Sequence, residues 1–132
     1  MNAFIIELQD RPGALADVAD AIAEKGINIA GVAGATASGS GGVALLTNDE
    51  AGTRSALDGS GARYREVALA TASLEDKPGV LAEVARKLAN AGVNIEAIFP
   101  MGMEAGKITI AFGVDNIEAA KSALSQYAGV SA

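Results

Sequence analysis

Apolar positions along the first half of the chain change period several times, and each change marks an element. Phe4-Ile-Ile-Glu-Leu is a short run rich in strand formers, closed by Asp10-Arg-Pro-Gly, where proline suits a first helical turn. Leu15, Val18, Ala19 and Ile22 then recur at helical spacing and predict one apolar stripe, with Gly26 supplying the left-handed position that ends the helix. A second strand opens at Asn28. A hairpin over 34–42 leads to the returning run Val43-Ala-Leu-Leu, and a second helix from about Asp49 to Asp58 is weakened by Gly52.

The same series then restarts. Shifted by 66 residues, Leu8-Gln-Asp-Arg-Pro-Gly-Ala-Leu-Ala-Asp-Val-Ala lies over Leu74-Glu-Asp-Lys-Pro-Gly-Val-Leu-Ala-Glu-Val-Ala, and Glu24-Lys-Gly-Ile-Asn-Ile over Asn90-Ala-Gly-Val-Asn-Ile. Ser55-Ala-Leu matches Ser122-Ala-Leu after a one-residue slip. Leu81, Val84, Ala85 and Leu88 repeat the first stripe, and Ile117, Ala120, Leu124 and Tyr127 form another. The run 63–74 must close the first copy and open the second. The predicted fold class is α+β: two ferredoxin-like βαββαβ units in tandem, 1–66 and 67–132, with antiparallel sheets and helices on one face. After the last helix only Ala128-Gly-Val-Ser-Ala remains, so the last strand of the second unit is expected to be short or missing. An edge left open in this way is a template for pairing, and a homodimer or a side-by-side meeting of copies is expected there.

Composition narrows the chemistry. The chain has 132 residues, 50% of them hydrophobic and 20% charged, which places it among folded rather than disordered sequences. It contains no Cys, His or Trp, which removes thiolate nucleophiles, imidazole bases, disulfides and Cys/His zinc sites. A formal charge of −6 has the wrong sign for a surface that follows a phosphate backbone, so no nucleic-acid partner is expected. The start has no basic leader, and no apolar run of about eighteen residues occurs, so neither membrane nor export is indicated and the cytoplasm is the expected location. The Gly/Ser stretch over 34–42 lacks the Lys and Ser/Thr of a phosphate loop and reads as a mobile hairpin. No cofactor, metal site or catalytic residue is expected.

The repeated segments Leu8-Gln-Asp-Arg-Pro-Gly-Ala-Leu-Ala…Gly-Ile-Asn-Ile and Leu74-Glu-Asp-Lys-Pro-Gly-Val-Leu-Ala…Gly-Val-Asn-Ile resemble the ACT domain, an amino-acid-sensing module of metabolic enzymes. The resemblance implies a small ligand between the strand-to-helix loop of one unit and the second strand of its neighbour. Carried onto this chain, the ligand-binding residues are Asp10, Arg11, Pro12, Gly13, Ala14 and Leu15 with Asn28 and Ile29, and Asp76, Lys77, Pro78, Gly79, Val80 and Leu81 with Asn94 and Ile95.

Physical chemistry reaches the same places. A loop entering a helix presents free N–H groups and the positive end of the dipole to a carboxylate, and Asn offers both donor and acceptors to a zwitterion. Plainer readings stand beside these. Gly13 and Gly79 can serve a tight turn alone, Asp10 and Asp76 can cap the following N–H groups, and the asparagines can simply bond the turn. Phe99, Met101 and Met103, at the positions equivalent to Ala33, Ala35 and Ala37 of the first copy, can line a pocket or fill a core.

The function expected is that of a non-catalytic, allosteric amino-acid-binding regulatory protein that modulates a metabolic enzyme or its own assembly. The alternative is a constitutive regulatory or assembly subunit of an amino-acid-biosynthesis enzyme, in the manner of an acetolactate synthase small subunit. A small enzyme on the same scaffold is disfavoured by the missing His and Cys.

Overall fold

The computed structural model describes residues 1–127. The chain runs β1 (Asn2–Gln9), α1 (Ala14–Ala23), β2 (Ile29–Ala37), β3 (Ser40–Thr47), α2 (Glu50–Ser60), β4 (Tyr64–Glu75), α3 (Val80–Asn90), β5 (Ile95–Glu104), β6 (Lys107–Val114) and α4 (Ile117–Ala123), with a 3₁₀ turn over Ser125–Tyr127. It divides into two compact units inside β4, the first spanning Asn2–Glu66 and the second running from Val67. The two units are α+β and ferredoxin-like, with antiparallel ladders throughout. The short or missing last strand expected of the second unit falls on 128–132, outside the described residues.

In the first unit β3 lies between β1 and β2, pairing Phe4 with Leu45 and Val32 with Leu45. In the second, β6 takes that central place between β4 and β5, pairing Ala70 and Ile98 with Phe112. Period-two alternation puts Phe4 and Ile6 of β1 and Val43 and Leu45 of β3 in one cluster with Val18, Ile22, Ala56 and Leu57 of the helices. Ala70, Ala72, Leu74, Phe112 and Val114 join Val84, Leu88, Ala120 and Leu124 in the same way. Burying each large aliphatic side chain contributes about 1.5–3 kcal/mol, which is what holds helices of about ten residues that would be marginal alone.

Two expectations need correction. The stripe of α1 is not headed by Leu15, nor that of α3 by Leu81: these are 49% and 52% exposed, while Ala14, Val18 and Ile22, and Val80, Val84 and Leu88, are buried. The buried rows run at steps of four from the first helical residue. The hairpin of the first unit is also not a loop over 34–42, because β2 and β3 continue to Ala37 and Ser40. Only Ser38 and Gly39 turn the chain, both at positive φ (54° and 83°), and Ala105 and Gly106 do the same in the second unit (52° and 78°). Such two-residue turns match the right-handed twist of the strands.

The one-residue slip between the copies has a physical site. Both units bulge between the first residues of their second strand, at Ile29/Gly31 and Ile95/Ala97, but β5 bulges again between Pro100 and Gly102. Met101 is the inserted residue. A bulge absorbs it without moving every later side chain to the opposite face of the sheet. A further difference lies at the start of the second helix of each unit. In the first, the buried hydroxyls of Thr47 and Thr53 bond each other at 2.7 Å, and Thr53 lies 2.7 Å from the Asp49 carbonyl. Val114 and Ala120 stand at the corresponding places of the second.

Ala105 occupies a left-handed position that disfavours a Cβ. Replacing Ala105 with Asn, the preferred residue there, is expected to raise stability by about 0.5–1 kcal/mol in denaturant unfolding. A second expectation concerns Glu66, whose carboxylate takes two bonds from Arg54 and one from Asn2. The Arg54 hydrogen bond, offset in part by burial, holds this carboxyl below the usual range. A depressed carboxyl stabilises the fold above its unfolded pKa of about 4.3 and loses that effect as pH falls through its folded value. Glu66→Gln is therefore expected to be less stable than the parent at neutral pH, with the gap closing in acid.

Candidate functional site

Each unit leads a strand into a helix through the same turn. Gly13 and Gly79 occupy the cap positions of α1 and α3 at φ 87° and 88°, and no side chain caps either helix. Asp10 and Asp76 do not cap; they stand three residues too early, in the turn itself. A Cβ on Gly79 would meet nothing within 4 Å, and on Gly13 only Arg11 Nη1 at 3.6 Å, so φ rather than space requires glycine there. The helix starts keep their outward N–H groups and the positive end of the dipole without a side-chain acceptor.

The neighbouring cations are already paired. Arg11 donates to Asp17 Oδ2 at 3.2 Å, to Gln9 Oε1 at 3.2 Å and to the Pro12 carbonyl at 3.1 Å. Lys77 pairs with Glu75 at 3.1 Å, and this contact lowers the Glu75 pKa. Pro12, Pro78, Leu15 and Leu81 are exposed beside these turns, whereas Ala14 and Val80 are buried.

Asn28 and Asn94 sit just ahead of β2 and β5. Their backbone is fixed: Asn28 N–H donates to Asn48 Oδ1 at 3.1 Å and Asn94 N–H to Asp115 Oδ1 at 2.9 Å, and the backbone N–H of each of these partners donates back to the asparagine carbonyl. Their side-chain amides are exposed and make no hydrogen bond among the described residues. Ile29 and Ile95, next along, pack against the two cores.

Strand register decides which of these residues meet. Gln9, at the entry to the first turn, pairs with Ser40 at the hairpin end of β3, while Ile29 pairs with Thr47 at the other end. Glu75 and Ile95 pair likewise with Lys107 and Val114. Within one unit the turn and the asparagine are therefore separated by roughly the 15 Å length of a ten-residue helix. A single amino acid does not reach from one to the other.

Sequence reasoning missed a cavity of about 200 Å³ in the first unit, beside α1 and the end of α2. Arg11 and Ala14 line it with Leu8, Asp17, Val18 and Ser60. The second unit has Tyr127 where the first has Ser60. Its ring packs against the core cluster that includes Leu74, Val80 and Val84, and its hydroxyl donates to Glu83 Oε1. That hydrogen bond raises the Tyr127 pKa. The slipped repeat of the second helices was the signal that could have revealed this exchange. Phe99 is buried, while Met101 and Met103 are exposed. Among the described residues no group of three acidic side chains could hold a metal, and no helix is long and apolar enough to cross a membrane.

The architecture is a tandem pair of ferredoxin-like units with matching glycine turns. The model of the ACT domain matches residues 3–57 and again 69–129, and the chain belongs to that family. No curated protein matches it. Among solved structures, a protein from Bacteroides thetaiotaomicron is similar at a TM-score of 0.74 and 21% identity, over 95% of this chain and 86% of that one. The ligand-free regulatory subunit of aspartate kinase from Thermus thermophilus has a TM-score of 0.64 at 24% identity, over 97% and 91% of the two chains. The regulatory subunit of aspartate kinase from Thermus flavus has 0.65 at 24%, over 96% and 92%. At these identities the likeness is one of fold.

The exchange of Ser60 for Tyr127 has a stability consequence. Tyr127→Ala removes a ring packed against a core and is expected to cost about 2–3 kcal/mol, somewhat below a fully buried aromatic. Ser60→Ala, beside a space that is already open, is expected to stay within about 0.5 kcal/mol of the parent. Chemical denaturation of the two variants checks the contrast.

Proposed function

We propose that this protein is a non-catalytic regulator that binds a small amino acid or related metabolite and, on binding, modulates a metabolic enzyme or its own assembly. The observation that carries the reading is the pair of uncapped helix starts behind Gly13 and Gly79, together with the unpaired side-chain amides of Asn28 and Asn94. Outward N–H groups and the dipole suit the ligand carboxylate, and an asparagine amide suits its ammonium and carboxylate alike. The turn and the asparagine of one unit lie too far apart to share a ligand. The site therefore takes its loop, Asp10 to Leu15 or Asp76 to Leu81, from one ACT unit and its asparagine from another, which also favours a homodimer.

Membership of the ACT family and the fold shared with two aspartate kinase regulatory subunits support a regulatory rather than a catalytic role. A ligand of this kind regulates only if it binds one arrangement of units better than another.

The test is a thermal-shift screen of the full chain against the twenty amino acids and related metabolites. A ligand at 100 times its Kd adds about 2.7 kcal/mol, which moves a small domain by several degrees. A shift with one chemical class is expected, reduced at least tenfold in affinity by Asn28→Ala or Asn94→Ala, whose exposed side chains make no hydrogen bond among the described residues. No shift at millimolar ligand overturns this reading and leaves the constitutive subunit in its place.

A further inference from the structure

The two units answer one packing problem differently. Asp49 and Asn116 cap the second helix of each unit by accepting from Gly52 N–H and Ala119 N–H, so the helices begin at equivalent places. Ser60 and Tyr127 lie equally far along the chain past those caps, Ser60 as the last residue of α2 and Tyr127 in the 3₁₀ turn that follows α4. In the second unit Tyr127 packs against the cluster containing Leu74, Val80 and Val84, and Glu83 accepts its hydroxyl hydrogen. The first-unit counterparts are Leu8, Ala14, Val18 and Asp17, and all four line the cavity of about 200 Å³. Ala14 and Ser60 thus stand beside this open hollow where the second unit has Val80 and Tyr127.

We propose that this cavity is a binding site for a small phenol, a single aromatic ring carrying one hydroxyl donor, seated as the Tyr127 side chain is seated in the second unit. The volume fits, since a cavity of about 150 Å³ holds benzene. Leu8, Ala14 and Val18 supply apolar walls for the ring. Arg11 donates to Asp17 Oδ2 in an exposed ion pair, leaving Oδ1 to accept from the ligand hydroxyl, as Glu83 accepts from Tyr127. A hydroxyl donor is favoured over a plain hydrocarbon because a charged acceptor strengthens the hydrogen bond. The site lies beside the end of α2 and shares Arg11 and Ala14 with the loop of the amino-acid reading above, but it rests on the comparison with Tyr127 rather than on that reading.

The probe is p-cresol, the tyrosine side chain itself, titrated into the full chain while amide ¹H–¹⁵N shifts are followed. Toluene serves as the analogue without the hydroxyl. Saturable shifts at the Leu8, Ala14 and Ser60 amides are expected, with toluene at least fivefold weaker. Ser60→Tyr, which supplies the missing ring, and Ala14→Val, which installs the second-unit residue, are each expected to weaken p-cresol at least tenfold. No saturable shift in the parent protein, shifts confined to other residues, equal binding of toluene, or undiminished binding in a folded Ser60→Tyr or Ala14→Val chain overturns the proposal. Because p-cresol has neither ammonium nor carboxylate, none of these outcomes bears on whether an amino acid binds at the glycine turns.

Discussion

The constraint on which the rest of each unit depends is the reversal from strand to helix at Gly13 and Gly79. A left-handed residue at that point turns the chain, and because that cap position is glycine it has no side chain with which to cap the helix. It fixes where α1 and α3 begin, and so which of their residues face the sheet. The buried rows 14, 18, 22 and 80, 84, 88 follow from that start, and the leucines at 15 and 81 are turned outward beside the loop. The same geometry leaves the first-turn N–H groups pointing away from the core. One backbone conformation thus orients the helix for packing and exposes its dipole for binding, and a β-branched residue in its place would disturb both at once.

Around that shared turn the copies have diverged in ways the strand lattice permits. An inserted residue in a strand would ordinarily invert every side chain beyond it, and the bulge at Met101 confines the disturbance to one position. Beyond the bulge, β6 and α4 repeat β3 and α2 at the longer offset with their core faces unchanged. The buried Thr47–Thr53 pair faces an apolar Val114 and Ala120 in the other unit. Both solutions are satisfied, because a buried hydroxyl with a partner and a methyl without one each leave no orphaned donor.

The fold was legible because the chain states it twice: a strand run, a D-x-P-G turn and a helical stripe recurring at one interval leave few other architectures. What was not legible depended on phase rather than period. Residues at steps of three and four are compatible with Leu15 or with Ala14 on the buried side, and only the backbone angle of Gly13 decides between them. Hairpin length failed for a similar reason. Glycines and serines over 34–42 read as a mobile hairpin connection, yet small residues also pair in a ladder when both neighbours supply the register. The candidate site was legible in its parts, the turn and the asparagine, but not in their separation, since sequence spacing carries no information about which end of an antiparallel sheet each reaches.

An internal repeat also serves as a mutational experiment already performed. Each unit shows what the other would look like with a few side chains exchanged on a common backbone, so a difference in packing can be assigned to named residues. Val80 and Tyr127 belong to the core packing of one unit; Ala14 and Ser60 line an open hollow in the other. Protein interiors are close-packed, and a void forfeits the contacts its walls would otherwise make. The open hollow lies beside the exposed Arg11–Asp17 ion pair and mixes apolar Leu8, Ala14 and Val18 with polar Glu7, Gln9 and Ser60. The helix starts and their glycine turns are alike in the two units, so the difference at this place is assigned to the exchanged side chains rather than to the backbone.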